Sequence, residues 1–129
     1  MTLWHLIAVG VGGALGSIAR FVVSRWTILL VPGYPALGTL IVNVVGSLAI
    51  GFLAGAGVQH RWLSDEWRIF LVTGVLGGLT TFSSLALETA LLSRHPAPLW
   101  HGAAHLVANV VLGLAAVLLG ERLATWWTV

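Results

Sequence analysis

The sequence contains no cysteine and no lysine. The first absence excludes disulfides, thiol nucleophiles and thiolate-held metals, and leaves the redox compartment unread. The second leaves arginine as the only strong base, with six copies against four acids. These arginines are scattered. No basic cluster exists that could follow a phosphate backbone, so the isoelectric point of about 10.6 does not mark a nucleic-acid binder. Charge as a whole is scarce, at 8% of residues against the roughly one quarter usual in a soluble domain. With 58% hydrophobic residues and a mean hydropathy of +0.99, the composition describes an integral membrane protein. Also missing are a nucleophile–base pair, paired carboxylates, a phosphate-binding loop and His/Glu metal spacing. The expectation is a non-enzyme.

What is present is apolar length. Four spans of about 3–24, 37–57, 68–92 and 99–124 can be drawn, giving an all-α membrane protein with one domain over residues 1–129. The loops near 25–36, 58–67 and 93–98 hold Pro32, Pro35 and Pro96. Trp4, Trp26, Trp62, Trp67, Trp100, Trp126, Trp127 and Tyr34 all fall at or beside a span end, where amphipathic rings favour the headgroup level. The first span lacks the basic flank of a signal peptide and is expected to stay in the mature chain. So small a bundle can hardly enclose a polar pathway alone, which points to self-association.

Four spans put both termini and the 58–67 loop on one side, with Arg61, Arg68 and Arg122. Arg20, Arg25 and Arg94 fall on the other. Cytoplasmic loops normally carry the basic excess. The tie fits a chain that inserts in both orientations, but is explained more simply by a chain with too few arginines to read. Glycines recur at intervals of four, at Gly12 and Gly16, Gly51 and Gly55, and Gly74 and Gly78. This spacing lets helix backbones approach closely in lipid, within a chain or between chains.

The third span is weakest at its centre, "GVLGGLTTFSS" from Gly74 to Ser84. Thr81 could N-cap a second half-helix with Ser84 at its third position. A break here would free backbone groups that cannot face lipid; the alternative is a continuous helix whose glycines permit tight packing. In the second span Asn43 is costly in hydrocarbon without a partner, so it should face the interior, as an interhelical bond or as a donor to an anion. In the fourth span His105 and Asn109 lie four apart, and Gly113 continues the same face. Glu88 is the one acid well inside a span, either functional or in an ion pair with an arginine such as Arg20. Phe82, just after the weak centre, could turn the positive edge of its ring to an anion.

Four motifs, "GGALGSIAR", "GTLIVNVVGS", "GGLTTFSS" and the Glu88-Thr89 pair, resemble the CrcB/Fluc fluoride channel family over essentially the whole chain. The resemblance implies a passive fluoride channel of a bacterial inner membrane. It implies an antiparallel, dual-topology homodimer with a broken third helix and two pores. Gly77 and Thr80 would give backbone carbonyls to a structural Na+ at the dimer centre. Asn43 matches the pore-lining asparagine and Phe82 the first of two pore phenylalanines. Thr39, Ser83 and Ser84 fall near the polar lining, and Arg20 matches an arginine at the end of the first span.

Two departures alter the expected site. Leu85 stands where the family usually has its second phenylalanine, followed by Ala86 in place of a serine. In the fourth span His105, Asn109 and Gly113 occupy the track where tyrosine and serine are common, so fluoride permeation could be slow, altered in selectivity or pH-sensitive through His105. A divergent partner subunit would be a second way to complete such a site. The rival reading is a small dual-topology multidrug exporter, which needs a carboxylate in its first span; residues 3–23 hold none. A non-transporting scaffold would explain the glycines but not the polar residues together.

Overall fold

The structure, a computed structural model, describes residues 2–60, 64–94 and 97–127, with the side chains of 57–60 and 127 outside the description. The expectations for Arg61, Trp62, Pro96 and the Trp127 ring therefore lie outside the described residues. All regular structure among those residues is helical. Among the described residues, four stretches are long and apolar enough to cross a bilayer: Leu3–Leu30, Leu37–Ala56, Asp65–Leu92 and Leu99–Trp126.

Helix α1, Leu3–Leu30, begins after Thr2, whose backbone N–H donates to His5 Nδ1 at 3.1 Å. At 28 residues it is about 42 Å long. It outlasts the expected end near residue 24 because nothing in "RWTILL" breaks a helix. Thr27 also folds its hydroxyl back onto the carbonyls of Val23 and Ser24, at 3.1 and 3.0 Å. Pro32, two residues past the end, cannot continue the ladder. Helix α2 follows as Leu37–His60.

The third span is composite. Ser64 accepts a hydrogen bond from the Trp67 N–H at 3.4 Å and starts α3, Asp65–Arg68. Asp65 and Glu66 sit in its first turn, where negative charge complements the helix dipole. This cap starts the helix three residues earlier than apolarity alone suggests. Ile69–Leu76 then runs as a π-helix, and α4, Gly77–Leu79, returns to α geometry. Thr80 and Thr81 are extended (φ −80°, ψ 154° and φ −152°, ψ 123°), and α5, Phe82–Leu92, begins beyond them. Helix α6, Leu99–Trp127, completes the fold.

Two pairings organise the bundle. Helix α1 lies along the π-helical stretch and α4, while α2 lies along α6, with α5 also against α6. The four-residue glycine spacing serves these contacts inside the chain. A Cβ on Gly12 would stand 2.6 Å from the Phe70 carbonyl, and Gly74 meets Gly12 in return. Gly16 fits against Val75, Gly78 against Gly13, and Gly51 and Gly55 against Val117 and Glu121. The fully enclosed core is small, with Val42, Ala56 and Ala124 at its heart, while Leu15, Ile18, Phe21, Leu114 and Leu118 lie exposed. Apolar residues outward and small residues inward is the arrangement expected where lipid is the solvent. Trp4, Trp26, Tyr34, Trp67, Trp100 and Trp126 are all exposed near span ends, consistent with interfacial seats.

Candidate functional site

The site is built around the two extended residues of the third span. A helix start leaves backbone N–H groups without intrahelical acceptors, and inside a membrane no water satisfies them. Thr81 meets this need twice. Its hydroxyl accepts from the Ser84 N–H at 3.2 Å and donates to Ser84 Oγ at 3.1 Å, the N-cap expected from sequence. Its own N–H donates to Asn43 Oδ1 at 2.9 Å, and its carbonyl accepts from Asn43 Nδ2 at 3.2 Å. The α2 side chain thus stands in for the backbone partners that the extended residues lack.

From Asn43 a polar chain runs across three helices. Asn43 Nδ2 also donates to Asn109 Oδ1 on α6 at 2.9 Å. The Asn109 nitrogen donates to the His105 carbonyl at 3.0 Å and lies 3.5 Å from His105 Nδ1. His105 Nε2 lies 3.2 Å from Glu88 Oε2 on α5, and Thr39 on α2 donates its hydroxyl to Glu88 Oε1 at 2.7 Å. Thr39 and Asn109 are almost fully enclosed. Thr39, Asn43, Glu88 and the His105/Asn109 pair, not connected with one another in the sequence, form one continuous network.

Glu88 was expected to pair with Arg20. Its two carboxylate oxygens are instead taken by Thr39 and His105, because α5 packs on α6 and not on α1. Arg20 is half-buried on α1 and takes no part in the network.

Beside the network an open groove of about 380 Å³ is lined by Asn43, Thr80, Thr81, Phe82, Leu85 and Asn109 with apolar neighbours. Phe82 is 78% exposed, a ring placed outward from its own subunit. Leu85, one turn on, is 5% exposed and forms part of the groove wall. Ser83 is exposed, with Oγ 3.4 Å from Thr81 Oγ1, and Ser84 is half-buried on Thr81. Gly77 is exposed on the same groove. Among the described residues, no backbone or side-chain donor reaches the carbonyls of Gly77 or Thr80. The N–H groups that would return to them, on Thr81 and Ser84, go to Asn43 and the Thr81 hydroxyl.

Sequence reasoning assigned Thr81 only a capping role and missed it as the anchor of Asn43. The signal was available: a helix start in lipid requires an acceptor for each early N–H. The π-helical stretch left no such mark, since its composition is that of any apolar helix.

Four apolar spans, and a part-buried polar chain beside a groove, describe a multi-pass membrane protein with an organised polar network. Comparison with known proteins agrees. The family described as CrcB-like protein, Camphor Resistance (CrcB) matches residues 7–121, and the chain belongs to this family. The fluoride-specific ion channel FluC of Rhizobium meliloti is 46% identical over 120 residues, covering 92% of this chain and 94% of that protein. Fluoride-specific ion channel FluC 2 of Symbiobacterium thermophilum is 39% identical over 127 residues, 96% of this chain and all of the relative. That of Agrobacterium fabrum is 44% identical over 120 residues, 92% and 94% of the two chains. Membership places the chain among channels, not enzymes.

Proposed function

We propose that this protein is a fluoride-selective channel that exports fluoride passively across the cell inner membrane as an antiparallel, dual-topology homodimer with two pores. The polar chain from Thr81 through Asn43 and Asn109 to Glu88, beside the Phe82 groove, is the observation that carries the reading. Fluoride is small and strongly hydrated, and leaves water only for closely placed donors. Hydroxyl groups in a narrow apolar setting can supply them without holding the ion too tightly for exit, and the asparagine amides can do so by exchanging a present partner for the ion. Phe82 adds the positive edge of a ring. Its 78% exposure in the single subunit suits a residue whose surroundings are completed by a second copy.

The third helix is interrupted at Thr80 and Thr81, and the interruption has a second use. Carbonyls of Gly77 and Thr80, left without hydrogen-bond donors, are hard oxygen ligands suited to Na+. Bound there, the ion would supply fixed positive charge to carbonyls from both subunits and hold the dimer centre together. Among the described residues no group of three or more His, Asp or Glu side chains gathers as a metal site, so backbone oxygen is the ligand class offered. Multidrug export finds no support: α1 carries no acid, and Glu88 is already engaged by Thr39 and His105.

The test is passive efflux from liposomes containing the purified protein, with sodium present and chloride as the control anion. Fluoride efflux without chloride efflux is the expected result. Its absence would remove the channel assignment.

A further inference from the structure

Resting on the channel reading, we propose that His105 is a positioning residue: it orients the Asn109 amide, and its protonation sets how many N–H donors the groove presents to an anion.

The hydrogen-bond roles in the network follow from one fixed point. The Thr81 backbone N–H can only donate, so the Asn43 atom 2.9 Å away is its oxygen. The Asn43 nitrogen then faces the Thr81 carbonyl and Asn109, which uses both of its N–H groups. Asn109 must turn its oxygen to Asn43 and its nitrogen to the His105 end, where one N–H reaches the His105 carbonyl and the other faces Nδ1. A ring nitrogen facing a donor is the unprotonated one. Nε2 therefore carries the hydrogen and donates to Glu88. One neutral tautomer satisfies every partner.

A proton added at Nδ1 reverses that end of the network. Nδ1–H and the Asn109 N–H become two donors face to face. The Asn109 amide cannot turn over to relieve this, because its oxygen would then stand against the His105 carbonyl that its nitrogen now meets at 3.0 Å, so the N–H that faced Nδ1 is left without an acceptor. Asn109 then has one N–H without a partner, and Asn109 lines the groove. The same proton offsets the negative charge of Glu88. Both changes favour an anion, so fluoride flux should rise when His105 is protonated.

Few other groups can blur this response. The elements packed on α6 around His105 are α2 and α5. Helix α2 carries no ionisable residue from Leu37 to Gln59, and α5 carries only Glu88. On α6 itself the neighbouring titratable group is His101, one turn earlier, whose ring stacks on Trp100 with centroids 4.0 Å apart.

Fluoride efflux should be measured in the full-length protein between about pH 7.5 and 5.5, within the range where histidine charge changes occur. Protein-free vesicles correct for leakage of hydrogen fluoride. Wild type is expected to conduct severalfold faster at the acid end. His105→Gln, whatever its absolute rate, should give the same rate at both ends, and His101→Gln should keep the wild-type slope. A flat wild-type profile with robust flux, or a slope retained in His105→Gln, overturns the proposal.

Nitrogen NMR of the labelled protein in micelles gives a second readout that needs no transport. The Asn109 side-chain amide signals should move with the same midpoint as the His105 ring nitrogens, and invariant Asn109 signals would refute the coupling. Wild type without fluoride flux at any pH but with coupled NMR titrations would sink the channel reading and leave the switch standing.

Discussion

The side-chain amide of Asn43 closes two hydrogen bonds on the backbone of Thr81, accepting from its N–H at 2.9 Å and donating to its carbonyl at 3.2 Å. An amide can do both because it presents donor and acceptor side by side, as a neighbouring peptide unit would. The second span therefore holds the extended centre of the third.

Asn43→Ala removes both partners at once. A buried backbone group left unsatisfied costs about 1–3 kcal/mol, so thermal unfolding in detergent should move clearly downward and fluoride efflux should be lost. Asn43→Asp should be nearly as harmful, because it brings an oxygen against the Thr81 carbonyl. Wild-type stability in both variants would show that Asn43 does not brace the backbone.

Phe82→Ile keeps an apolar side chain but removes the ring edge. With the ring 78% exposed, little packing within the subunit is lost. Reconstituted protein should stay monodisperse while its fluoride efflux falls by an order of magnitude or more. An unchanged rate would take Phe82 off the ion path.

Gly51→Val tests the packing of α2 on α6. A side chain there runs into the backbone carbonyl of Val117, which cannot move aside as a flexible side chain would. Overpacking of this kind costs about 1–3 kcal/mol, read as a lower melting temperature in detergent. Gly33→Ala is the matched control: nothing lies within 4 Å of a Cβ placed there, and stability should not change. Equal effects of the two changes would contradict this packing.

Dual insertion can be tested on a natural cysteine-free background. One cysteine introduced in the 58–67 loop should react with an impermeant maleimide added to either side of intact vesicles. Labelling from a single side would rule out the antiparallel assembly.

Much of the architecture was legible before any coordinates. Span number followed from apolar length, and the tryptophans mark the ends the helices reach. The Thr81 cap could be read from Thr-Phe-Ser-Ser because capping is a local interaction over three residues. Helix ends were less legible where capping and apolarity disagree, as at Ser64, where a polar cap precedes the apolar run. The partner of Glu88 was illegible. Arg20 and His105 both offered an N–H donor to a half-buried acid, and only the packing of α5 on α6 separated them.

By itself, then, the sequence determined the solvent this protein lives in, its four crossings, its weak third-span centre and the polar residues that lipid would not tolerate alone. Each depends on composition or on neighbours along the chain. Tertiary structure decided which of those residues meet: Thr39 with Glu88, Glu88 with His105, Asn109 with Asn43, and Asn43 with Thr81. Such meetings depend on how each helix is rotated and where it touches the next. In the third span that rotation is set partly by the π-helical stretch, whose wider turns shift every later residue around the axis relative to an α-helix. No local pattern in the residues records that shift.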